Sequence, residues 1–152
     1  MVKEYLEKSI AVKNAALTDQ NFLENAEKAG QQIYDSLMVG KRIYIAGVGG
    51  AAAESQHFSA ELLGKYKSMR KAFPAVALTT DTSMLTAWAN DTSFDFIFSR
   101  QLEGLGQKGD IFVALSAGGN SASILEALKT ANSLGMISIC LLGKGGGKAK
   151  DM

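Results

Sequence analysis

IYIAGVGGAAAESQHFSAELLGKY (43–66) contains a strand, a glycine turn and a helix in direct succession. Ile43, Tyr44 and Ile45 read as the end of a buried strand. The turn GVGGA (47–51) follows at once, and residues 51–66 read as a helix. A strand that breaks into glycines at the mouth of a helix presents free backbone N–H groups and the positive end of the helix dipole. That is a ready anion site. His57 and Glu61 stand four apart on the same helix and so share one face. An anion cradle and a pair able to ligate metal or pass a proton therefore lie on one element.

Beyond residue 41 the pattern alternates strand and helix. The apolar runs predict strands over 42–46, 75–79, 110–115 and 136–142, and the intervening stretches predict helices over 51–66, 82–89, 94–105 and 121–134. Uninterrupted apolar strands separated by helices mean a parallel sheet covered on both faces. The fold class is α/β, a doubly wound parallel sheet in flavodoxin-like order 2-1-3-4. In such a sheet ligands bind at the carboxyl ends of the strands where the order reverses, here between the first and third. Those strands run into two glycine-rich turns, GVGGA (47–51) and SAGGNS (116–121). Two anion-ready helix starts on one crevice suggest a ligand with a phosphate at one end.

Before this core, residues 3–17 and 20–38 read as two helices. The second carries the stripe Phe22, Ala26, Ala29, Ile33 and Leu37, capped by Thr18 or Asp19 and ended by Gly40. The first has two stripes, Tyr5–Val12–Ala16 and Leu6–Ile10–Leu17, which fits packing against another subunit or a broad face within the chain. Residues 1–152 are expected to form one domain, with N-terminal helices 1–40 and an α/β core 41–152. With Lys+Arg 16 against Asp+Glu 15, no global charge draws the chain to nucleic acid or a membrane surface. No stretch is long enough to span a bilayer, and the N-terminus has no signal-peptide core. Cys140 is the one cysteine, so no internal disulfide forms and a cytoplasmic setting is expected.

Each candidate has a plain structural reading beside the functional one. GVGGAA (47–52) matches a dinucleotide fingerprint, but Arg70 and Lys71 stand where its acidic partner belongs. Ser121 alone is an ordinary N-cap, and Ser116 and Asn120 are turn residues; the pairing of the two glycine turns shifts all three towards binding a phosphate or hydroxyl. His57 and Glu61 could be a weak surface pair. Asp81 reads as a cap, while Asn90 and Asp91 either end a helix or point into the crevice. Lys65, Lys67, Arg70 and Lys71 read as a solvated basic face.

Taken together, GVGGAAAESQHFSAELLGKY, FPAVALTTDTSMLTAWAND, FSRQ, GD, SAGGNS, GM and GKGGG resemble the phosphoheptose isomerases, which are sugar-isomerase (SIS) domain enzymes, over essentially the whole chain. The resemblance implies a five-stranded parallel sheet and a homotetramer built partly from the N-terminal helices. It implies conversion of sedoheptulose 7-phosphate to D-glycero-D-manno-heptose 7-phosphate, which supplies heptose for bacterial lipopolysaccharide. It also implies zinc held by His57 and Glu61, with Glu61 as the catalytic acid/base. Gly49, Gly50, Glu61, Asn90, Asp91, Ser116 and Ser121 would line the sugar-phosphate site. Aldose–ketose isomerisation through an enediolate needs such a carboxylate beside the carbon acid and an electrophile for the oxyanion.

The chain departs from that family at both turns. Val48 and Ala51 replace the asparagine and serine of GNGGS, and Ala117 and Gly118 replace the threonine and second serine of STSGNS. Each lost hydrogen bond to a charged group is worth about 1.5–3 kcal/mol, so weakened substrate binding is expected. The family's last strand and C-terminal helix, which carry a glutamine and a second histidine, have no counterpart here, and an exposed sheet edge is expected. Two rival readings are a non-catalytic SIS-domain binding module, of the type that associates with the bacterial replication initiator, and a dinucleotide enzyme. The presence of both His57 and Glu61 favours the isomerase.

Overall fold

The computed structural model describes residues 1–152. Helix α1 (Val2–Thr18) and most of helix α2 (Gln20–Met38) form one compact unit, Met1–Asp35; Ser36–Met152 forms the other. Asp19 is the residue that caps α2, its Oδ1 accepting the Phe22 N–H at 3.0 Å. At the far end Gly40, with φ +80°, closes the helix. The Lys41 N–H reaches back to the Ser36 carbonyl and the Gly40 N–H to that of Leu37, the paired bonds of a Schellman cap. α1 buries none of its residues, and Tyr5, Leu6, Ile10, Val12 and Leu17 are exposed. Of the stripe expected on α2, only Leu37 is buried.

The second unit contains β1 (Ile43–Gly47), α3 (Gly50–Leu63), β2 (Ala75–Ala77), α4 (Thr82–Asp91), α5 (Ser99–Leu105), β3 (Ile111–Ser116), α6 (Ala122–Ser133) and β4 (Ile137–Leu142). The four strands are parallel in the order β2-β1-β3-β4, as the sequence predicts. β1 is buried along its whole length, and alternation sends its side chains to opposite faces. Tyr44 and Ala46, with Phe112 and Ala114 of β3, meet Ile97 and Phe98 just before α5, Leu102 of α5, and Ile124, Ala127, Leu128 and Ala131 of α6. Tyr44 is a large polar-tipped side chain in this core, and its hydroxyl is satisfied by the Leu105 carbonyl at 2.8 Å. On the opposite face α3 docks on β1, β2 and β3. Its buried Ser59 donates to the Ala75 carbonyl at 3.1 Å. At the amino ends of the central strands, the buried Asp110 carboxylate accepts the N–H groups of Arg42 (2.9 Å) and Gln107 (3.0 Å) and ties two loops together.

Several boundaries differ from expectation, among them the end of α3, which falls at Leu63 and not at 66. The helix expected over 94–105 is broken into a 3-10 turn, Phe94–Phe96, and α5. Ser93 caps the turn by accepting the Asp95 N–H, and Ile97 and Phe98, both 2% exposed, go into the core between the two pieces. β2 stops at Ala77, where the chain turns through Leu78 and Thr79 and the Thr80 hydroxyl donates to the Ala77 carbonyl at 3.1 Å. The tail folds into a 3-10 turn, Gly147–Asp151, that buries Ala149.

Candidate functional site

The two glycine turns leave the sheet side by side. β1 and β3 pair in register up to Gly47 opposite Leu115, so the turns that follow share the carboxyl edge where the strand order reverses. Gly47 has to be glycine, since a Cβ there would come within 2.6 Å of the Ala51 Cβ. Gly49 lies at φ +65° and forms the mouth of α3, where its carbonyl receives the Ala52 and Ala53 N–H groups. Gly50 and Ala51 are left with the outward N–H groups of the first turn, and open space surrounds Gly49 and Gly50.

In the second turn the Ser116 Oγ accepts the Gly119 N–H at 3.1 Å. Ser121 occupies the N-cap position of α6 without making the capping bond; its Oγ lies 3.2 Å from that of Ser123. Asn120 is a correction to the sequence reading. Its amide donates to the Gly118 carbonyl (2.8 Å) and accepts the Lys148 N–H (3.1 Å), so the side chain binds the tail to the turn. Gly119, at φ +63°, and Gly147, at φ +53°, face each other's loops at separations no side chain could enter.

His57 and Glu61 do meet. Nε2 lies 3.7 Å from Oε1, with the histidine side chain 79% and the glutamate 34% exposed. They line a cavity of about 470 Å³ with Glu54, Phe58, Tyr66, Arg70 and Phe73. Two donors are one short of the three protein ligands a catalytic zinc takes. Glu54 lines the same cavity, yet no three His, Cys, Asp or Glu side chains gather closely enough to hold a metal ion. The residues of this chain therefore do not fit a complete zinc site. Asn90 and Asp91 end α4 and bond to each other at 3.0 Å. Asp91 lines a separate cavity with Asp81, Trp88 and Arg100, where the guanidinium stacks 4.6 Å from the indole. Asp81 is the cap the sequence suggests, accepting the Met84 N–H at 3.0 Å.

The candidate residues thus fall into groups. Gly49, Gly50, Ser116 and Ser121 belong to one crevice edge. Glu61 lies eleven residues along α3 from Gly50, about 16 Å of helical rise away. Arg70, expected on a solvated basic face, is half-buried and bonded to the end of α3. The sequence offers only a helix ending at Gly64 with an arginine six residues on, a pairing with no fixed spacing.

The SIS domain family matches residues 4–143. A phosphoheptose isomerase of Campylobacter concisus is 52% identical over 131 residues, covering 86% of this chain and 69% of that protein. One from Aliarcobacter butzleri is 43% identical over all 152 residues, covering 79% of its own length. The solved phosphoheptose isomerase of Neisseria gonorrhoeae superposes with a TM-score of 0.92 at 41% identity, over 99% of this chain and 78% of that one. That of Francisella tularensis gives 0.94 at 31% identity over the same shares.

Proposed function

The chain belongs to the SIS domain family, among its phosphoheptose isomerases, and from that premise we propose that it interconverts sedoheptulose 7-phosphate and D-glycero-D-manno-heptose 7-phosphate. The observation that carries this is the Glu61 carboxylate, partly exposed in a cavity and paired with His57. Glu61 takes a proton from C1 of the ketose. The electron pair moves to give the enediolate, and the proton returns at C2 while the hydroxyl proton passes from O1 to O2. The N–H groups at the mouths of α3 and α6 and the Ser116 and Ser121 hydroxyls hold the phosphate.

The homotetramer belongs to the same reading. For assembly, α1 offers an unburied apolar surface. Zinc at His57 and Glu61 would need further donors from that assembly. A cytoplasmic setting agrees with the free Cys140, and no helix is long and apolar enough to cross a membrane. Supply of heptose for lipopolysaccharide follows from the product.

Turnover of sedoheptulose 7-phosphate by the wild-type chain and by Glu61→Gln, with zinc supplied, tests the reading. General-base catalysis contributes about 10²–10⁴-fold, so the variant should lose that much of kcat while its melting temperature stays put. A folded wild-type chain that neither binds nor converts the sugar phosphate would instead favour the binding module.

A further inference from the structure

We infer that Arg70 is a positioning residue for Glu61. This rests on the isomerase reading above, and it comes from how α3 ends. The last four carbonyls of a helix need donors from outside it. Gly64, at φ −85°, does not enter the left-handed region from which a glycine usually supplies them, and its N–H serves only the Ala60 carbonyl. The next two are taken by Arg70. Nη2 donates to the Glu61 carbonyl at 2.6 Å, and Nη1 donates to that of Leu62 at 2.8 Å. Nη1 also donates to the Lys71 carbonyl at 3.0 Å, and the guanidinium lies 4.5 Å from the centre of the Phe73 ring.

The Phe73 N–H joins it on the Leu62 carbonyl at 3.1 Å. The loop between α3 and β2 therefore folds back and clamps the helical turn that carries the carboxylate. Its approach is set by a tight reversal at Lys67, φ +59°, where Tyr66 and Ser68 bridge. Arg70 and Glu61 also line the same cavity, and the fixed positive charge sits at the negative end of the helix dipole.

A planar fork can bridge adjacent carbonyls and stack on a ring at once, which an ammonium cannot do. Lysine at this position keeps the charge and loses the clamp. Misplacing a reacting group by about 1 Å costs on the order of 10²-fold in rate. The full-length chain carrying Arg70→Lys or Arg70→Met should therefore lose about 10- to 100-fold in kcat, with KM for sedoheptulose 7-phosphate nearly unchanged. Amide exchange should quicken at Gly64 and Phe73 and stay slow in β1 and β3.

Wild-type kcat in Arg70→Met overturns the proposal, and so does full rescue by lysine, which would mean charge alone suffices. A loss confined to KM, or one matching the unfolded fraction in a thermal melt, overturns it as well. In each of these cases the isomerase reading survives. No turnover by the wild-type chain sinks that reading, and the positioning role falls with it.

Discussion

Replacing Gly119 by alanine should cost the protein about 4 kcal/mol through a single methyl group. Gly119 lies at φ +63°, where an L side chain costs roughly 1–2 kcal/mol. Its Cβ would fall inside the contact distance of the Gly146 carbonyl, a backbone group that cannot swing aside. Relief requires residues 143–149 to lift off the turn. The lift breaks the bond from the Ala149 N–H to the Gly119 carbonyl (3.0 Å) and that from the Lys148 N–H to Asn120 (3.1 Å), each worth about 1 kcal/mol. It also exposes Ala149, now 3% exposed. The neighbouring Gly118 has open space around its Cβ position and an ordinary φ, so Gly118→Ala serves as the control. Urea denaturation should show the Gly119→Ala midpoint well below wild type, with a melting temperature lower by roughly 8–16 °C, and the control near wild type. A Gly119→Ala protein within 1 kcal/mol of wild type, on the order of one hydrogen bond, would refute the interlock. Equal damage from both alanines would do so too.

Restoring side-chain donors to the first turn, by Val48→Asn with Ala51→Ser, should tighten sugar-phosphate binding about tenfold or more per residue, since hydrogen bonds to a charged group are worth about 1.5–3 kcal/mol. Calorimetry reads this directly; unchanged affinity would mean that the backbone N–H groups already hold the phosphate unaided. Burial pushes the Cys140 thiol above its ordinary value of 9.0. Above that pH the unfolded chain gives up the proton while the folded one keeps it, so the thiol's contribution is complete below 9.0 and is lost as pH rises past it. Urea midpoints taken on either side of that value should fall less in Cys140→Ala than in wild type; equal falls would refute the assignment.

The parts of the fold legible in the sequence are those written in local pattern. IYIAG reads as a buried strand because β1 is apolar throughout, and its glycine exit marks the helix mouth. The strand order follows from where the glycine turns fall, and the structure has that order. What escaped the sequence reading depends on contacts between distant segments. Nothing periodic in GKGGGK announces that Lys144 to Gly147 adopt positive φ and lock onto Gly119. Asn120 looked like a ligand group because its partner, the Lys148 N–H, lies 28 residues away. Ile97 and Phe98 fit a helical stripe equally well as a break, and only the demand of the core for both side chains decides between them. The His57–Glu61 contact was legible because four residues is one helical turn. Arg70 was not, since a capping arginine on a loop has no fixed spacing.

The parallel pairing of the two central strands also sets a clock for the ribosome. Ile43 pairs with Ile111, 68 residues later in the chain. At about 5–20 residues per second, β1 is complete for roughly 3–14 s before its second neighbour is synthesised. During that interval one edge of IYIAG offers unpaired N–H and carbonyl groups, and only three-residue β2 is available for the other. Loop-closure entropy opposes early pairing over such a separation. The nascent chain therefore passes through a stage in which the strand that ends up buried at every position is its least protected, and translation speed over residues 48–116 becomes a determinant of yield.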